Sequence, residues 1–145
     1  MQGEFIVAAT DLNDFASSYK QALLNMGFKI EKESQEGVVL KIKAVEGPSK
    51  LKAVLLRGLA KHASQFREAN RTGAEAEMYA GSKGIVLKLN VVPYMAFANS
   101  KDIFLVTQGI GERYLADKPM VRDKFNQIIS ALMSRFQISQ VSVKE

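Results

Sequence analysis

The chain contains no cysteine and no tryptophan, and its 145 residues include one histidine and three prolines. Without cysteine there is no disulfide, no thiolate metal site and no cysteine nucleophile. One histidine cannot supply the three or four His/Cys ligands of the common zinc centres. Carboxylates can hold magnesium or calcium without histidine, but the acids are scattered and no Asp-x-Asp-x-Asp-Gly loop occurs, so no metal and no cofactor is expected. No run of about 18 apolar residues is present, so no membrane span is expected. Residues 1–15 have no basic region, and their apolar run is too short for a signal peptide; a cytoplasmic location is the expectation.

What is present is ordinary for a globular chain: 47% hydrophobic and 24% charged residues. Residues 1–145 have the size of one domain able to bury a core, with no linker, repeat or low-complexity stretch. The net charge of +5 is unevenly placed. Residues 1–37 hold three lysines against six acids, and residues 38–71 hold eight Lys/Arg against two glutamates. The basic excess therefore belongs to one segment, and a localised basic patch points to an anionic partner better than a high pI does.

Period-two and period-3.6 patterns divide the chain. Residues 4–10, "EFIVAAT", read as a strand apolar on both faces. Leu12, Phe15, Ala16, Tyr19, Leu23 and Met26 repeat at helical spacing, with Thr10 or Asp11 as cap and Gly27 after the end. "FKIEKES" and "VVLKIKAV" alternate and form a hairpin, with Phe28, Ile30, Leu40 and Ile42 inward and Glu31 and Glu33 outward. Residues 49–70 read as a helix, followed by a turn at Asn70-Arg71-Thr72-Gly73.

For residues 74–92 one register satisfies both faces. With Ser82-Lys83 as the turn, Ala80 faces Ile85, Met78 faces Leu87, Ala76 faces Leu89 and Glu77 faces Lys88. Pro93 is expected to end that strand. "IFLVTQ" reads as a further short strand. A last helix over 118–136 carries Val121, Phe125, Ile128, Leu132 and Phe136 on one stripe. The tail 137–145 reads as an edge strand or a frayed end.

The expected fold is α+β: an antiparallel sheet with split β-α-β-β-α-β order followed by β-β-α, its helices mainly on one face. A helix-grip arrangement, with a curved sheet around the C-terminal helix, is the alternative. The helix at 49–70 argues against it by separating strands that should be consecutive.

The lone His62 lies on or beside the apolar stripe of helix 49–70, with Leu59 and Phe66, and is expected to pack rather than catalyse. Ser64 lies about 200° from it round the helix, so the two cannot form a nucleophile–base pair. On the opposite side Lys50, Arg57, Lys61 and Arg71 form a basic face able to touch phosphates without reading bases. The glycines of "TQGIGER" match no phosphate-loop motif; if that backbone held an anion, Arg113 would be its partner.

The remaining oddity is "VVPYMAFA", residues 91–98, an apolar loop. Apolar loops cover a core, line a pocket or meet a partner. Tyr94, Met95 and Phe97 are therefore the expected contacts for an apolar ligand or for a second subunit, with a homodimer the simplest version. The function that follows is a small non-enzymatic binding module. Sequence-nonspecific nucleic-acid binding through the basic helix is the first alternative, and an enzyme with a pocket of scattered polar residues the second.

Overall fold

The computed structural model describes residues 1–46, 70–95 and 118–145; at positions 70, 71, 93–95, 118 and 119 it describes the backbone alone. The elements are β1 (Gln2–Val7), α1 (Leu12–Asn25), β2 (Phe28–Glu36), β3 (Val39–Glu46), β4 (Asn70–Gly81), β5 (Gly84–Met95), α2 (Lys118–Met133) and β6 (Ile138–Lys144). This is an α+β arrangement with one six-stranded antiparallel sheet in the spatial order β2-β3-β4-β5-β1-β6. No described helix is long and apolar enough to cross a membrane.

Both described helices pack on one face of the sheet. Asp11 caps α1, its carboxylate accepting from the Asn13 and Asp14 amides, and Gly27 closes it at φ +89°. The helix then buries Phe15, Ala16, Tyr19 and Leu23. From α2, Val121, Phe125, Ile128 and Leu132 enter the same core. Alternate sheet residues meet them, among them Phe5 and Val7, Leu40 and Ile42, Ala76 and Met78, and Leu87 and Leu89. Phe5 lies 6.0 Å from Phe125 between ring centres, and Phe15 meets Phe136 edge-on at 5.1 Å.

The second hairpin has the expected register: Ala80 opposes Ile85, Met78 opposes Leu87 and Glu77 opposes Lys88. Three local expectations are corrected. Asn70 to Gly73 form no turn; they belong to β4 and pair with residues 92–95 of β5. Their amides and carbonyls find a neighbouring strand there, which satisfies them better than a turn would.

Pro93 does not end its strand, because β5 runs on to Met95. The Val91 amide and carbonyl both bond to Met1, the residue just before β1. Two residues on, Pro93 directs its nitrogen to that same side, past the end of β1, so the missing N–H costs no ladder bond.

Glu33 does not lie with Glu31. Glu31 is an extra residue between the Ile30–Ala44 and Lys32–Lys43 pairs, and this bulge moves the residues after it to the opposite faces. Glu33 thereby reaches Lys20 of α1 at 3.1 Å.

The tail is an edge strand. It carries a bulge of its own, with Val141 left between the Glu4–Ser142 and Phe5–Gln140 pairs. Both outer strands are thus irregular, which blunts pairing with another sheet edge.

Candidate binding face

The face opposite the two helices is polar and accessible to solvent. Its residues are the ones that alternation turns away from the core, and the register lines them up in rows across the sheet. One row runs Ser34, Lys41, Glu77, Lys88, Glu4, Ser142 over all six strands. Its four central members alternate in sign. Lys41 lies 3.9 Å from Glu77 and 3.2 Å from Glu36, with the Lys41 and Glu77 side chains 40% and 49% exposed. Cross-strand pairs of opposite charge stabilise a sheet by a few tenths of a kcal/mol to about 1 kcal/mol each. The strand register is what holds the row in line.

A second row aligns Glu75, Asn90, Gln2 and Lys144. Between the two rows lies an open hollow of about 360 Å³, with Glu4, Glu75 and Glu77 on its walls against Lys88 and Lys144. A third row is apolar: Tyr79 opposes Val86, and Val86 opposes Ile6. All three side chains are half-buried. At the far end of the face Val45 is only 3% exposed, so the accessible part is the end carrying these three rows. Another open hollow, about 470 Å³, lies at the tip of the β4–β5 hairpin; apart from Lys83 and the hydroxyls of Thr10 and Ser82 it is walled by alanine and glycine.

The residues chosen from sequence fall largely elsewhere. Tyr94 and Met95 are strand residues of β5, not part of a loop, and pair with Arg71 and Asn70 of β4. Arg71 is therefore on a strand and not on the basic helix face. One position from the apolar set and one from the basic set thus stand opposite each other in the ladder. Phe97, Lys50, Arg57, Lys61, His62 and Arg113 lie outside the described residues, as does the strand expected at "IFLVTQ". The row residues Lys41, Glu77 and Lys88 were legible as outward-facing. Their alignment with Glu4 was not, because it depends on β1 pairing with β5.

Among the described residues no three His, Cys, Asp or Glu side chains converge as metal ligands would. Among the described residues two hydroxyls, Tyr19 Oη and Thr72 Oγ1, are sealed in the interior with no hydrogen-bond partner. Burial pushes the Tyr19 phenol well above its ordinary pKa of 10.0. Both are core groups, closed off from the accessible face. No family model, no curated protein and no solved structure matches this chain.

Proposed function

We propose that the protein is a non-enzymatic binding module and that the accessible sheet face is its contact surface. The observation behind this reading is the row Lys41, Glu77, Lys88, Glu4, held in strand register and turned to solvent while both described helices close the other face. A broad, open surface of alternating charge beside a short apolar row suits a macromolecular partner. A small molecule is better held in an enclosed pocket that removes most of its surface from water.

Carboxyl-specific labelling read by mass spectrometry tests the reading. The protein is labelled in dilute buffer, in concentrated buffer and in extract of its own cells. Glu4, Glu75 and Glu77 are expected to lose reactivity in extract or in buffer at about 1 mM protein, while Asp14 and Asp123, exposed on the two helices, keep theirs. Equal labelling at all five sites in dilute buffer, in concentrated buffer and in extract would exclude the face as a contact surface.

A further inference from the structure

Resting on the reading of this face as a contact surface, we infer that its partner is a second copy of this chain. The two sheets meet face to face about a two-fold axis that runs parallel to the strands between β4 and β5. The argument is one of symmetry and sign. Read from β3 to β1 the row is Lys41, Glu77, Lys88, Glu4, or plus, minus, plus, minus. Rotation about that axis keeps each row at its own height and reverses the strand order. Lys41 then faces the partner's Glu4, and Glu77 faces the partner's Lys88, so all four contacts join opposite charges. A two-fold axis along the row would set each residue against its own copy and join like charges. The order of charges therefore selects one symmetric pairing over the other, and symmetric pairs are the commonest oligomers.

The apolar row obeys the same rotation. Tyr79 on β4 meets the partner's Val86 on β5. Half-buried side chains of this kind gain from losing the rest of their exposure. Packed sheets keep their strands within about 30° of each other, so the central strands stay in register across the interface and the outer strands diverge. The two bulged edges lie in that diverging region and take no part.

The size of the patch sets the strength. Four strands about 4.8 Å apart and roughly five residues of about 3.4 Å each span an area near 19 by 17 Å. That is well below the roughly 800 Å² per partner of a standard interface, so the association is weak and concentration-dependent.

Analytical ultracentrifugation of the full chain up to about 1 mM tests the inference. The native protein is expected to show a reversible monomer–dimer equilibrium. Glu77→Lys and Lys88→Glu, each alone, set like charges opposite each other twice per dimer and should weaken it about tenfold or more. The double variant Glu77→Lys/Lys88→Glu restores opposite signs at every contact, and its dimer should return to within about threefold of native. An equimolar mixture of the two single variants should form a heterodimer for the same reason. Circular dichroism verifies that each variant is folded. A strictly monomeric native chain, or a dimer indifferent to the single reversals, overturns the inference. Failure of the double variant to recover overturns this symmetry. Protection of Glu75 and Glu77 in extract combined with a monomeric native chain would leave the contact face standing and remove self-association.

Discussion

The Lys124 ammonium lies 2.7 Å from the Glu46 carboxylate and 5.8 Å from the centre of the Phe28 ring. The pair ties α2 to the end of β3. The two side chains are 18% and 20% exposed, less than those of any other ion pair described. Lys124→Ala removes the charge contact, the packing of the stem and the ring contact together, and is expected to cost about 1–2 kcal/mol. Lys124→Met keeps the stem and should cost less. Urea denaturation of both, of Glu46→Gln and of the double variant Lys124→Met/Glu46→Gln completes a cycle that measures how much of the loss is pairwise.

Two glycines with positive φ should respond differently to substitution. Gly84 sits at φ +133°, and a Cβ there would run into the backbone carbonyl of Val7 on β1. Gly37 sits at φ +61° with nothing near the added atom. Gly84→Ala is expected to destabilise by about 2–3 kcal/mol and Gly37→Ala by about 1–2 kcal/mol. Gly37→Asn should be milder still, because asparagine tolerates this conformation, and Gly84→Asn should not recover. Thermal melts of the four variants give the comparison.

Tyr19 is fully buried, and its hydroxyl has no partner among the described residues. Tyr19→Phe removes an unsatisfied polar atom while keeping the ring, and is expected to be neutral or to stabilise by up to about 1 kcal/mol. The pH dependence has a definite sign. The phenol ionises near 10.0 in the unfolded chain and at a higher pH in the folded one. Its contribution is therefore intact below pH 10 and is lost as pH rises above it, when the unfolded state releases a proton that the folded state retains. Stability measured between pH 9 and 11.5 should fall less steeply for Tyr19→Phe than for the native protein. Parallel curves would show that Tyr19 is not sealed from solvent.

The basic segment gives a separate test. If Arg57 and Lys61 neutralise phosphates, retention on heparin or DNA must fall steeply with salt, and replacing both with Gln should reduce both the retention and its salt slope. No retention at low salt would exclude phosphate binding by this segment.

Local pattern carried much of this fold. The stripes of α1 and α2 and the Ser82-Lys83 register follow from periods of 3.6 and 2, which neighbouring residues alone determine. The neighbours of β1 are set otherwise. Nothing local to Gln2–Val7 says that Ile85–Asn90 and the C-terminal tail will flank it, and the charge row depends on that placement. The bulge at Glu31 was equally hidden, since one extra residue leaves the alternation on either side intact. Residues 47–69 separate β3 from β4 in the chain, yet the two strands are neighbours in the sheet. An insertion in the chain is thus no argument against adjacency in space.

The position of β1 between β5 and β6 bears on how the chain is made. Gln2–Val7 leaves the ribosome long before either of its neighbours exists. At about 5–20 residues per second, the strand waits roughly 4–18 seconds for β5 and several seconds more for β6. Through that interval it presents Phe5 and Val7 with no sheet to join, while the hairpin of β2 and β3 can already close from local contacts. Over that time β1 is exposed to chaperones and to misassembly, and the sheet closes around a strand made well before either of its neighbours.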